Sequence, residues 1–174
     1  IIKSDDGYSN DLTKIAKKRL KDLGGELVGE AQFGKRMSGL QIILEQAETV
    51  KPDIIFLAFD RPDLLHILSR WPQIKNEGNA PLAFTSLHVS DIHELENKPI
   101  PSFFTISPFY WNQDDATRKW SNKFAARNRG AMPTDIQAGV YSSVRHYLRN
   151  LKFGATDAAG EVLTRMKANV LDDP

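Results

Sequence analysis

The sequence predicts an α/β fold: a three-layer parallel sheet with flanking helices, followed by a helical segment. Three observations lead there. Residues 53–63, DIIFLAFDRPD, contain an apolar run from Ile54 to Phe59 with no polar alternation, which is how a central parallel strand reads when both of its faces are covered. Strand-like and helix-like patterns alternate up to about residue 107, as successive βα units do. From Asp114 to Met166 there are three helical patterns and no strand, so a boundary is expected near 107–112, dividing 1–107 from 108–174.

The elements follow in order. Residues 1–4, IIKS, read as the end of a strand whose beginning lies upstream, which suggests a processed or cut chain. A polar turn, Ser4-Asp5-Asp6-Gly7, leads into a helix whose apolar positions are Leu12, Ile15, Ala16, Leu20 and Leu23, with Gly24-Gly25 as its stop. Glu26–Phe33 is a strand candidate. Ser38 and Gln41 have capping-box spacing, and Leu40, Ile43, Leu44, Ala47 and Val50 mark the helix after them. After the central strand, Asp60 is placed to cap a helix with Pro62 in its first turn, and Leu64, Leu65, Leu68 and Trp71 form the inward stripe. A loop at 76–80 precedes a strand at 81–86. Residues 88–96 form a loop or short helix, and the last strand is 103–107, opened by Pro99 and Pro101. In the helical part, Asp114 or Asp115 starts the first helix. Thr134 and Gln137 box the second, with a stripe of Ile136, Val140, Val144, Tyr147, Leu148 and Leu151. Asp157 starts the third, with Val162, Leu163 and Met166 inward.

Composition excludes several classes. Among 174 residues there are 23 Lys+Arg against 22 Asp+Glu, well mixed, so no basic surface for nucleic acid is indicated. No apolar run approaches the ~18 residues of a membrane helix. With no cysteine, disulfides and cysteine-ligated metals are excluded. No nucleophile elbow, metalloprotease motif, phosphate loop or dinucleotide fingerprint occurs. Neither catalysis nor a cofactor is expected.

Three constellations bear on chemistry. Asp5-Asp6, the segment ending at Asp60-Arg61-Pro62, Thr85-Ser86 and Lys98-Pro99 resemble a response-regulator receiver domain. The phosphoacceptor position four residues before Pro62 is Ala58, however, which cannot be a nucleophile. A degenerate receiver-like signalling domain is therefore the alternative reading, and the plainer account of Asp5 and Asp6 is a turn and helix start. His88, Asp91, His93 and Glu94 are residue types that bind zinc, but their spacing matches no common signature, and a solvated loop explains them as well. The third set is Tyr8, Phe59, Asp60, Arg61, Ser86, Leu87, His88 and Phe109-Tyr110-Trp111. All fall on strand-end loops or at the boundary. Aromatic walls with a few placed polar groups make a small-molecule pocket, although Phe109 and Trp111 serve equally well as core anchors.

The run Phe109-Tyr110-Trp111, then Asp114-Asp115-Ala116-Thr117-Arg118-Lys119-Trp120 and Phe124, resembles the periplasmic solute-binding proteins of ABC transporters, in the branched-chain amino-acid-binding branch. Met132-Pro133-Thr134, Gln137-Ala138-Gly139-Val140-Tyr141-Ser142-Ser143 and His146-Tyr147-Leu148 look like that family's helix near the hinge. Asp5-Asp6-Gly7-Tyr8 resembles its strand-end D-x-x-Y-G, with Ser9 where glycine is usual. The resemblance implies a two-lobed type I binding fold without catalysis, in the periplasm or outside the cytoplasm, that delivers its ligand to an ABC permease. It implies that 1–107 is the second lobe and that 108–174 is the hinge crossing with helices returning to the first. By position, Tyr8 would cover the ligand, Asp60-Arg61 would form the second contact loop and Ser86–His88 the third. The implied ligand is a small carboxylate-bearing molecule, either an aromatic or organic acid or an amino acid, with Arg61 available to pair with a carboxylate. Apolar stripes on the helices after 112 would be exposed without the rest of the first lobe, so the chain is expected to self-associate.

Overall fold

In a computed structural model the described residues are 1–34, 37–74, 80–95, 98–100, 102–154 and 156–170, the side chains of 37 and 38 excepted. The capping residue Ser38, most of the 76–80 loop and Pro101 therefore lie outside the described side chains or residues. The chain divides into two compact units, residues 1–107 and 108–174.

The first unit contains β1 (Ile2–Lys3), α1 (Gly7–Asp22), β2 (Ala31–Gln32), α2 (Met37–Thr49), β3 (Ile55–Ala58), α3 (Arg61–Ser69), a 3-10 turn at Trp71–Gln73, β4 (Leu82–Phe84), α4 (Val89–Leu95) and β5 (Phe103–Thr105). The five strands form one parallel sheet in the order β2-β1-β3-β4-β5. The DIIFLAFD run is thus the middle strand, as its unbroken apolar character requires. Ile55, Leu57, Ala58 and Phe59 are buried in a core shared with Ile2, Leu40, Leu44, Leu64, Ile67, Leu68, Leu82 and Phe84. This strand order reverses direction between β1 and β3, and ligands of open α/β sheets bind at such a reversal, outside the carboxyl ends of the strands. Receiver domains share the same order, so topology alone does not separate the two readings made from the sequence.

Several elements depart from their sequence-predicted form. The strand expected over 26–33 is paired only around Ala31–Gln32, because β1 presents Ile1–Lys3 as its partner: Ala31 N donates to Ile1 O and Phe33 N to Lys3 O. Glu26–Glu30 are exposed. The inward face of α1 is centred on Ser9 and Thr13, both buried, while Ile15 and Leu23 face outward. Small hydroxyl residues bring this helix close to β1 and β3, and hydrophobicity alone mislocates that face. The stop is as expected: Gly24 (φ +75°) and Gly25 donate to the carbonyls of Lys21 and Leu20, a Schellman termination that needs a left-handed residue at position 24.

The second unit holds α5 (Asp115–Ala125), α6 (Asp135–Gly154) and α7 (Ala159–Ala168). Asp114 and Thr117 cap α5 reciprocally, and Thr134 and Gln137 do the same for α6. Trp120 gathers Phe109, Phe124 and Tyr141 around it, with ring centroids 4.9–5.8 Å apart. The N-cap of α7 is Ala158 rather than Asp157, with no side-chain cap; Val162 is buried, Met166 half-buried and Leu163 exposed. Among the described residues α7 packs mainly on α6 and buries a narrow face. Among the described residues no helix is long and apolar enough to cross a membrane.

Candidate functional site

The carboxyl ends of β1, β3 and β4 converge on one hydroxyl chain. Asp6 caps α1 by accepting from Ser9 N at 2.8 Å and from Ser9 Oγ at 2.8 Å. This fixes the first turn of the helix, which carries Tyr8 with its ring half exposed. The Tyr8 hydroxyl lies 2.9 Å from Ser86 Oγ, and Ser86 Oγ in turn donates to the main-chain carbonyl of Phe59 at 2.8 Å. Tyr8, Phe59 and Ser86 are thus brought together, each from a different strand-end loop.

The Phe59 side chain takes no part. It is 0% exposed and meets Phe33 edge-on, centroids 5.8 Å apart, so the aromatic wall expected at this position is core, and only its carbonyl reaches the site. Leu87 is likewise a core residue. Asp60 caps α3, its Oδ1 accepting from Asp63 N at 2.9 Å.

Arg61 is already engaged. Its Nε donates to Asp91 Oδ2 at 2.9 Å and its Nη2 to Asp91 Oδ1 at 2.5 Å, the side-on bidentate geometry of a strong ion pair. Asp91 is 2% exposed and also accepts from His88 N at 2.9 Å. The Arg61 guanidinium, with help from the His88 N–H, holds the Asp91 carboxyl below the usual carboxylate range, against the opposing effect of burial. The same pairing raises Arg61. A carboxylate partner expected from a ligand is thus supplied by the chain itself. His88 contributes its main-chain N–H to Asp91, and its side chain is half-buried. The set His88, Asp91, His93 and Glu94 is not arranged as a metal site: both Asp91 oxygens are committed, and among the described residues no group of three or more potential ligands assembles.

Asp91 as the partner of Arg61 was missed in the sequence. A signal existed in the spacing of His88 and Asp91, three residues apart at the start of α4, where an acid reaches back to the preceding N–H. Tyr110 belongs to the second unit, where its ring lies 5.6 Å from that of Trp111 and is partly exposed.

A family model described as "Periplasmic binding protein" matches residues 1–174. Solved structures similar to this chain include a branched chain amino acid ABC transporter periplasmic ligand-binding protein from Burkholderia xenovorans LB400. It has a TM-score of 0.80 and 22% identity, covering 99% of this chain and 46% of that one. A periplasmic binding protein from Burkholderia mallei gives a TM-score of 0.70 at 24% identity, with 99% and 46% covered. An ABC transporter substrate-binding protein from Desulfitobacterium hafniense, in complex with Leu, gives 0.71 at 19% identity, with 93% and 46% covered. No curated protein matches the chain. The chain spans about half the length of these solved structures, and at such identities the likeness is one of fold. A match of the family model along all 174 residues, on a five-stranded parallel sheet with flanking helices and a helical C-terminal part, establishes that the chain belongs to the periplasmic binding protein family and carries its type I fold.

Proposed function

We propose that this chain is part of the extracytoplasmic solute-binding component of an ABC transporter. In this reading it performs no catalysis, binds a small carboxylate-bearing molecule in a cleft between two lobes, and hands it to a membrane permease. Residues 1–107 act as the second lobe, and 108–174 as the hinge crossing with helices returning to the first. The observation that carries the proposal is the convergence of Tyr8, Ser86 and the Phe59 carbonyl at the strand-order reversal of the sheet. An exposed aromatic and directed polar atoms meet there in the crevice that α/β sheets use for ligands. The receiver-like alternative loses its remaining support: Ala58 occupies the acceptor position, Asp60 is used as a helix cap, and the family match covers the helical part that a receiver would leave unexplained.

The test is a thermal-shift screen followed by calorimetry on the natural full-length protein, with aliphatic amino acids, aromatic amino acids and aromatic carboxylates. A ligand at ~100 times its Kd adds about 2.7 kcal/mol of stability, an easily read rise in Tm. Tyr8→Ala should weaken the hit about tenfold or more. If no compound in these classes shifts the protein, the solute-receptor reading is wrong for this ligand chemistry.

A further inference from the structure

We infer that Ser86 is a specificity-determining residue: it locks the Tyr8 phenol as a hydrogen-bond acceptor, so that this side of the crevice takes a donor group, an ammonium or hydroxyl, and refuses a carboxylate. The inference rests on the solute-binding reading above and chooses between its two ligand classes.

The argument is a proton count. A serine hydroxyl has one hydrogen, and a carbonyl has none to give. Ser86 Oγ spends its hydrogen on the Phe59 carbonyl at 2.8 Å. The 2.9 Å contact between Ser86 Oγ and the Tyr8 hydroxyl then needs a hydrogen from Tyr8. The order is fixed: Tyr8 donates to Ser86, and Ser86 donates to Phe59. What remains on the exposed side is the Tyr8 oxygen with lone pairs only. Reversing the chain to serve a ligand carboxylate would strip the Phe59 carbonyl of its Ser86 partner. Turning the Tyr8 hydrogen outward would instead set two oxygen lone pairs against each other across 2.9 Å. The first change costs a hydrogen bond in a partly buried position, the second an exposed one.

The neighbouring cation does not offset this preference. Nε and Nη2 of Arg61, the side-on edge that would grip a carboxylate, are both bound to Asp91, and the pair is close to neutral as a unit. Arg61 and Asp91 are thus positioning residues that join the starts of α3 and α4, the helices following the two strand ends that supply Phe59 and Ser86. Residues 1–107 offer an acceptor hydroxyl and the Tyr8 ring to the ligand, and any carboxylate of the ligand is held by other groups.

The test uses the natural full-length protein and two matched probe pairs: L-phenylalanine with 3-phenylpropanoate, and L-leucine with 4-methylpentanoate. Calorimetry is run on the wild type and on Ser86→Ala, with circular dichroism to verify folding and Ser86→Thr as a variant that keeps the hydroxyl. The expected result is that the amine-bearing member of the better pair binds at least about tenfold more tightly than its desamino partner. Ser86→Ala, which frees the Tyr8 hydrogen, should shrink that ratio below about threefold, and Ser86→Thr should preserve it. Equal or tighter binding of the desamino acid, or a ratio unmoved by Ser86→Ala, overturns the inference while leaving solute binding intact. If the wild type binds none of the four probes, both the inference and the reading it rests on fall.

Discussion

Asp91 shows how one side chain serves two elements. It reaches back to the His88 N–H at the start of α4, and it receives Arg61 from the start of α3. Its folded-state pKa is depressed, chiefly by Arg61. A carboxylate with a lowered pKa stabilises the fold fully above its unfolded value, and that stabilisation is lost as pH falls through the folded value. The urea midpoint should therefore fall as the pH drops below the ordinary carboxylate range, and Asp91→Asn should flatten that part of the profile. Asp91→Ala at pH 7 should cost about 1 kcal/mol or more, since the His88 N–H loses its acceptor. A mutant profile that overlays the wild type would remove Asp91 from this role.

At the scale of elements, the two units are built by different means. The sheet unit relies on apolar strands and the faces of α2 and α3, whose buried residues are almost all aliphatic or aromatic. The seam between α6 and α7 is instead polar at its centre. Asn150 is buried, donates to His146 O at 2.9 Å and accepts from Asn169 Nδ2 at 2.7 Å. The His146 Nε2 meets Met166 O at 3.0 Å, which identifies the proton-bearing nitrogen, because a carbonyl only accepts. Asn150→Ala should cost about 1–3 kcal/mol. Its signature should be local: amide exchange across 159–168 should accelerate well before that of β3. Uniform acceleration of both units would show that α7 is not held by this network.

At the scale of the molecule, α6 carries an uncovered apolar stripe. Ile136, Val140, Val144 and Leu148 are all exposed, with Arg145, Arg149 and Lys152 beside the lower part of the stripe. Helices this apolar on one face are ordinarily covered. The chain of residues 1–174 should accordingly self-associate, and replacing Val144 and Leu148, both exposed in the isolated chain, by Lys should make it monodisperse and remove any dependence of its Tm on protein concentration. Light scattering decides this: a monomer from the unmodified chain at high concentration would contradict the expectation.

Much of this was legible in the sequence, because it depends on short-range chemistry. The run at 54–59 reads as a doubly covered strand, and β3 occupies Ile55–Ala58 of it. Asp60-Arg61-Pro62, Asp114 with Thr117 and Thr134 with Gln137 carry their helix starts within four residues. Gly24-Gly25 carries the stop of α1. The motif residues from Phe109 to Leu148 pointed to the family that the match over residues 1–174 establishes. Tertiary structure decided what depends on partners distant in sequence. It paired the 26–33 segment only around Ala31–Gln32, turned α1 onto Ser9 and Thr13, and moved Phe59 from the expected pocket wall into the core. It also gave Arg61 to Asp91, thirty residues away, and tied Tyr8 to Ser86, seventy-eight residues away. A cap or a turn is satisfied by its neighbours, so the local sequence specifies it. An ion pair or a hydroxyl chain depends on which strand ends the sheet order brings side by side, and that is known only once the chain has folded.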